Sequence, residues 1–358
     1  MHPIKTDMTD KIKLAYGAGG ESMDTFIKKN ILKYFGKKSK NVEIPLSMLD
    51  DSAVIDDIVF TTDSHTVSPI IFPGGDLGSL AVAGTINDVA VMGAKPIALS
   101  AGFIIEEGLS KDKFETIVKS MSKCADDAGV PIITGDTKVV EKGAIQEFMI
   151  NTSGIGKRTN LLDKNIRIVK KYRSFNARWL LDSNLRNGDK IILSGNIGEH
   201  GVALMSFREG YGFETKIKSD VAPINHLIEK ALSAGGVVAA KDPTRGGLAN
   251  TVNEFSEKSK IGILLNEEAI PVPTGVRSAC DMLGIDPLEI GNEGKVVMVV
   301  VNEKADDVLR AIKKHPLGKN AAIIGEATNK VDGVVLETTV GGKRNLHKPI
   351  GDPVPRIC

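Results

Sequence analysis

The residue best placed to do chemistry is the last one. The chain ends Gly351-Asp352-Pro353-Val354-Pro355-Arg356-Ile357-Cys358. A terminal cysteine is tethered on one side only, so its thiol can be carried between sites. The two prolines bias the approach toward an extended form rising about 3.1 Å per residue, so this stretch spans roughly 25 Å. Arg356 could hold a carboxylate or a phosphate. Chain ends are commonly disordered, and a terminal cysteine can be accidental. A wholly solvated tail is usually all polar, however, and this one keeps Ile357 beside the thiol.

Carboxylates come next. Asp50 and Asp51 follow Leu49, and Asp63 follows Thr61 and Thr62, each near the end of a short β segment. Neighbouring acids repel; a shared divalent cation removes that cost, and hard oxygen ligands suit magnesium. A solvated acidic turn is the competing reading. Asn87 and Asp88 interrupt a run from 76 to 93 that is apolar nearly all round. That run reads as a buried helix, with Asp76 as its N-cap and Gly93 as its stop. A buried carboxylate needs a cation or several donors, so Asp88 reads as a ligand.

Three polar turns add candidates. Thr134-Gly135-Asp136-Thr137-Lys138 reads as a strand running into a polar turn and back, where Lys138 could contact phosphate, move a proton, or simply be a surface lysine. Lys241-Asp242-Pro243-Thr244-Arg245-Gly246-Gly247-Leu248 puts an acid, a hydroxyl, a guanidinium and glycines at a helix start, which suits a metal-bound phosphate. Gly291-Asn292-Glu293-Gly294-Lys295 offers a carboxylate between two glycines; alone, it reads as a solvated hairpin. The glycine-rich Tyr16–Ser22 stretch before a helix could cradle a phosphate or be only a turn. No GxxxxGK[ST] and no strand–GxGxxG–helix pattern occurs, so P-loop and Rossmann readings fail at their own motifs.

These residues need elements to position them. Alternating strand and helix patterns predict a mixed α/β or α+β layer. Helices are expected at 110–128, 197–209, 223–234, 246–257, 274–283 and 303–314. Strands are expected at 96–106, 148–156, 260–265, 296–302, 321–326 and 333–338. The stretch 157–187 is rich in charge and carries the only tryptophan, Trp179, which places a domain junction there. The 358 residues suit two domains, with 42% hydrophobic and 25% charged residues supplying an ordinary core. Lys plus Arg number 46 against 45 Asp plus Glu, which gives no reason to expect nucleic acid or an anionic membrane as partner. No apolar run is long enough to span a membrane and the first residues lack a signal-peptide core, so a cytoplasmic location is expected. Cys124, Cys280 and Cys358 form neither a disulfide framework nor a zinc site, and the first two read as small core residues.

Taken together the motifs resemble the AIR-synthetase-like (PurM-like) ATP-using superfamily. The resemblance rests on Asp50-Asp51-Ser52-Ala53-Val54, Thr62-Asp63, Asn87 through Pro96, Thr134 through Lys138 and Asp242 through Leu248, and so runs along nearly the whole chain. The ending Pro355-Arg356-Ile357-Cys358, with Asn292–Lys295 and Ser194–Gly201, is similar to the HypE family of nickel–iron hydrogenase maturation factors.

The resemblance implies an α+β fold of two PurM-like domains, the N-terminal one binding ATP, followed by a flexible tail. Its divisions would be residues 1–156, a basic junction or insertion at 157–187, residues 188–340, and a tail from 341 to 358. It implies that Cys358 accepts a carbamoyl group from a carbamoyltransferase, HypF, and that ATP converts it to a thiocyanate. The cyano group would then pass to iron on a HypC–HypD complex. Asp50, Asp51, Asp63, Asp88 and Asp242 would hold magnesium. Thr61, Thr62, Asn87, Gly135, Asp136, Thr244, Arg245 and Gly246 would join them in binding ATP. Glu293 and Lys138 would serve around the thiocarbamate, and the chain would pair as a homodimer. The junction is longer and more basic than the family leads one to expect.

Two other readings compete. A sister enzyme of the superfamily, such as a selenophosphate synthetase, would act on a small substrate; no cysteine precedes Cys124, where such synthetases keep a reactive one near the N-terminus. A non-catalytic carrier presenting Cys358 would not need the acid cluster.

Overall fold

The centre of the molecule is the helix Leu77–Val91. Asp76 starts it with a capping box: its Oδ1 accepts from the Ser79 backbone at 2.8 Å, while Ser79 Oγ accepts from the Asp76 N–H at 3.0 Å. Leu80, Val82, Ile86, Val89 and Val91 are fully buried, as an apolar surface on all sides requires. In this computed structural model the described residues are 11–35, 41–207 and 216–351, so Arg356, Ile357 and Cys358 lie outside them.

The first half builds a six-stranded mixed sheet in the order Val42–Ile44, Ala53–Ile55, Ile58–His65, Phe148–Lys157, Lys95–Glu106, Ile132–Val140. Leu77–Val91 and Lys111–Ala128 pack on one face. The other face is open and carries Phe60, Ile104 and Ile133, with Ile133 65% exposed. The expected turn within 131–140 is absent; Ile132–Val140 is one unbroken edge strand, paired in register with Lys95–Glu106 from Ser100 onward. Its β-branched residues satisfy a pleated edge as well as a turn would.

The second half builds a seven-stranded sheet in the order Val237–Lys241, Val297–Val300, Lys190–Leu193, Ala322–Thr328, Gly262–Asn266, Val334–Glu337, Lys343–Asn345. Val237–Lys241 and Val297–Val300 are buried at every position, which accounts for their continuous apolar runs. Helices Glu199–Phe207, Asn225–Ala234, Gly247–Ser259, Thr274–Leu283 and Ala305–Lys313 follow the expected positions within a few residues. Both halves are thus mixed α+β layers with mixed sheets.

Three features were not legible. Residues 160–169 of the junction form a helix, Asn160–Val169, capped by Thr159. Three of the arginines that make the junction basic are paired within the chain: Arg158 reaches Asp163 at 2.6 Å, Arg173 reaches Asp189 at 2.7 Å, and Arg178 reaches Glu43 at 2.7 Å. The expected tail from 341 begins later, because Lys343–Asn345 pairs with Val334–Glu337 and Leu346 is buried. Cys124 and Cys280 are buried free thiols, and burial raises them to about 12 and about 11, so neither is a nucleophile near neutrality.

Candidate active site

A cleft of about 290 Å³ opens where the two halves meet. Strand Ile58–His65 alternates, so Thr61, Asp63 and His65 face the helix Leu77–Val91 while Thr62 points to the open face. The helix brings Asp88 against that strand, where Asp88 Oδ2 accepts from the Thr61 hydroxyl at 3.0 Å. The strand Val237–Lys241 delivers Asp242 from the other half. Asp51, Asp63, Asp88 and Asp242 therefore line one cleft.

Their crowding is visible in their acidities. Burial, then Asp242, Asp63 and Asp51, raise Asp88 well above the usual carboxylate range. Burial and then Asp51 raise Asp242 to about 8. Asp242 Oδ2 is buried and accepts no hydrogen bond from the described residues. Buried acids without donors favour a cation. Among the described residues no three Asp, Glu, His or Cys side chains already enclose a metal ion. Magnesium, however, is commonly held by one or two carboxylates together with phosphate oxygens. Hard oxygen donors on one wall of an open cleft, one of them unbonded, fit a metal that arrives with its substrate.

A second set of acids adjoins the first and is built around two lysines. Lys258 Nζ donates to Asp182 Oδ2 at 2.7 Å, to Asp50 Oδ1 at 3.1 Å and to the Leu49 carbonyl at 2.6 Å. Lys241 Nζ pairs with Asp51 Oδ1, with Glu254 at 3.1 Å and with Asp182 at 3.4 Å. Asp50, expected among the metal ligands, gives Oδ1 to Lys258, while its buried Oδ2 accepts no hydrogen bond from the described residues and it lines the same cleft. Burial, then Asp182, still raise it to about 7, and burial raises Asp51 to about 6 against the pull of Lys241. Asp182 runs the other way: burial opposes its charge, but Lys241 and Lys258 hold its carboxyl below the usual range.

The remaining candidates divide. Thr244, Arg245 and Glu293 line the cleft, and Arg245 Nη2 lies 3.6 Å from Asp63 Oδ1. Gly246, at φ +75°, turns the chain into the helix Gly247–Ser259 without itself lining the cleft. Asn87 is committed to joining the halves: its amide donates to the Ala222 and Glu293 carbonyls at 3.2 and 3.3 Å and accepts from the Ile224 N–H at 2.9 Å. Thr62, Gly135, Asp136 and Lys138 are exposed on the N-terminal sheet and do not line the cleft. The structure therefore separates Lys138 from Glu293 within one chain.

Several cleft residues carried no sequence signal. Gly19 and Gly20, read as turn or cradle, open the helix Gly20–Asn30 at the cleft wall. Lys241 stood in a quoted motif without a role, and Glu254 and Asp182 stood in none. Nearby, Asp220 accepts from Lys295 at 2.8 Å and from the Glu293 N–H at 3.1 Å, fixing the Glu293 turn. Their partners come from distant sequence, so spacing could not reveal them.

Residues 49–157 match the AIR synthase related protein N-terminal domain, and residues 186–337 match the corresponding C-terminal domain. A putative hydrogenase expression/formation protein of Methanocaldococcus jannaschii is 52% identical over 97% of this chain and 100% of its own length. Carbamoyl dehydratase HypE of Bradyrhizobium diazoefficiens is 43% identical over 97% of this chain and 96% of its own. Among solved structures, a HypE–HypF complex aligns with a TM-score of 0.80 at 43% identity, covering 90% of this chain and 99% of that one. Hydrogenase maturation protein HypE in complex with ATP aligns with a TM-score of 0.76 at 40% identity, covering 97% of this chain and 100% of that one. With its two domains, its acid-lined cleft and likeness of this extent, the chain belongs to the HypE family of AIR synthase related proteins.

Proposed function

We propose that the chain catalyses the ATP-dependent dehydration of an S-carbamoyl group on Cys358 to a thiocyanate, the source of the cyanide ligand for a nickel–iron hydrogenase. The carbamoyl oxygen attacks the γ-phosphorus of ATP and ADP leaves. The nitrogen gives up one of its two protons as the phosphate ester forms, and the ester then expels phosphate as the nitrogen loses the second, leaving S–C≡N. An amide-like oxygen is a poor leaving group and phosphorylation makes it a good one; the chain supplies positioning and electrostatics.

Asp51, Asp63, Asp88 and Asp242 are placed to hold magnesium, which neutralises charge on the transferred phosphoryl group when it is bound. Asp50 acts from beneath, through Lys258. Thr244, Arg245 and the N-terminus of Gly20–Asn30 face the phosphates. Glu293 is the base at the cleft. Lys138, its proposed companion, stands on the sheet that a second copy would cover. The open sheet face supports a homodimer, because an apolar patch with Phe60, Ile104 and Ile133 exposed calls for a partner. Sedimentation of Phe60→Asp then shows a monomer; an unchanged dimer removes this interface. HypF serves as carbamoyl donor, a reading supported by its complex with a relative 43% identical to this chain. A HypC–HypD complex accepts the cyano group. The divisions at 156 and 187 stand as proposed domain limits, with the second domain running on through Leu346 rather than ending at 340.

The observation that carries this reading is the course of the C-terminal segment, whose Pro349 carbonyl accepts from the Glu21 N–H at 3.3 Å, beside the acid-lined cleft. The described chain therefore passes a wall of the acid-lined cleft before it ends at Gly351. The test is intact-protein mass spectrometry after incubation with carbamoyl phosphate, ATP, magnesium and the carbamoyltransferase. The expected product is an adduct on Cys358 that loses the mass of one water as ATP is consumed. ATP turnover on a small substrate with Cys358 unmodified points instead to a sister enzyme.

A further inference from the structure

The segment leading to the chain end is fastened at three successive points. Leu346 is 3% exposed, its N–H donates to the Val334 carbonyl at 2.9 Å, and its carbonyl accepts from Asn253 Nδ2 at 2.9 Å. Lys348 Nζ lies among three carboxylates: Asp24 at 2.6 Å, Glu257 at 3.4 Å and Glu254 at 3.8 Å. The Lys348 side chain is only 9% exposed. Pro349 then lies against the first turn of Gly20–Asn30, so closely that a Cβ on Gly20 would stand 2.0 Å from the Pro349 oxygen. Only glycine admits the strap there.

These anchors are not equivalent. Leu346 belongs to the core of the second half. Asp24 lies on the helix Gly20–Asn30, and Glu254 and Glu257 lie on the helix Gly247–Ser259. Lys348 therefore joins the strap to two separate walls, and Asp24 and Glu254 also line the cleft. One ammonium with three donors can serve three acceptors at once, which a neutral side chain cannot. Where a tether is fixed sets the effective concentration of the group at its end.

We propose that Lys348 is a positioning residue: its clamp on Asp24, Glu254 and Glu257 fixes the point from which the cysteine-bearing end reaches into its own cleft. This rests on the dehydratase reading above. Without the clamp the strap beyond Leu346 is held, among the described residues, only by the Pro349 carbonyl on the Glu21 N–H at 3.3 Å, and the thiocarbamate meets ATP less often. Nucleotide binding itself does not use the clamp.

The test compares Lys348→Met, which keeps the apolar stem and removes the charge, with Lys348→Arg, which keeps the charge. Each full-length chain is carbamoylated by the carbamoyltransferase, separated, and mixed with excess magnesium-ATP; the thiocyanate is followed by mass in a single turnover. ATP affinity is measured in parallel by calorimetry, and folding by thermal melting. The expected result is a rate about threefold lower in Lys348→Met, with ATP affinity unchanged and Lys348→Arg close to the parent. An unchanged rate in Lys348→Met overturns the inference. So does a parallel loss of ATP affinity, which would place Lys348 in the nucleotide site through Glu254. If the parent chain forms no thiocyanate, it is the dehydratase reading that fails. If Lys348→Met melts without cooperativity, Glu257→Gln removes one clamp partner outside the cleft and is read in the same way.

Discussion

Two groups of acids lie side by side at the junction of the halves and behave oppositely. Asp50, Asp51, Asp182 and Glu254 surround two buried lysines, Lys241 and Lys258. Asp63, Asp88 and Asp242 are paired with no lysine among the described residues; Asp63 has Arg245 at 3.6 Å, and Asp88 has the Thr61 hydroxyl. The first group is an ionic network, complete but for one Asp50 oxygen that accepts no hydrogen bond from the described residues. The second is an unfinished one, whose repulsion a cation would relieve. Residue type does not separate them, since all but one are aspartates. What separates them is whether a buried ammonium stands beside them. Asp50, Asp51 and Glu254 are paired with lysines yet also line the cleft, and so couple structure to site.

The comparison can be broken or sharpened by experiment. The largest effect is expected at the unfinished group. Asp88→Asn and Asp242→Asn should each lower magnesium-dependent ATP turnover by about a thousandfold, roughly 4 kcal/mol of transition-state stabilisation. Their melting temperatures should stay level or rise, because a buried repulsion has been removed. A cooperative loss of stability in either variant would make that acid structural and erase the distinction.

Asp182→Asn should do the reverse. Removing the anion shared by Lys241 and Lys258 leaves a buried ammonium short of a partner and costs about 3 kcal/mol of stability. Equilibrium denaturation in urea measures it. A stable variant with impaired turnover would instead move Asp182 into the working site.

The smallest effect is a pH trend. Asp50, Asp51 and Asp242 are raised to about 7, 6 and 8, and Asp88 is raised well above the usual carboxylate range. Between about pH 4 and 8 the folded chain therefore binds more protons than the unfolded chain, and stability falls as pH rises. Asp182 and Asp220 are lowered, so their contribution is present above the unfolded value and is lost in acid. Thermal melting without metal should therefore decline from mildly acidic to neutral pH. Magnesium with a nucleotide should flatten that decline by replacing protons. A decline that metal leaves untouched would mean that the raised acids do not meet the cation.

Much of the fold was legible because its signals are local. The Asp76 cap, the apolar run behind it and the Gly93 stop specified a buried helix within a few residues. Alternation in Ile58–His65 and continuous apolarity in Val297–Val300 marked half-buried and fully buried strands. Edge and junction elements were missed where polar residues satisfy a strand or helix as readily as a turn. Such were Ile132–Val140, read as interrupted, Lys343–Asn345, read as tail, and Asn160–Val169, whose charge masked its helical period.

The sequence by itself determined which chemical groups this protein owns: an acid cluster, a threonine–arginine turn, a glutamate between glycines and a cysteine at the chain end. Tertiary structure decided which of them meet. It turned Asp50 to Lys258 and left Asp242 with a bare oxygen. It spent Asn87 on joining the halves, set Lys138 on an open sheet and tied Lys348 beside the cleft. The reason is physical: a side chain's type fixes what it can bond, but burial and the charges brought beside it from distant sequence fix what bonds remain to be made.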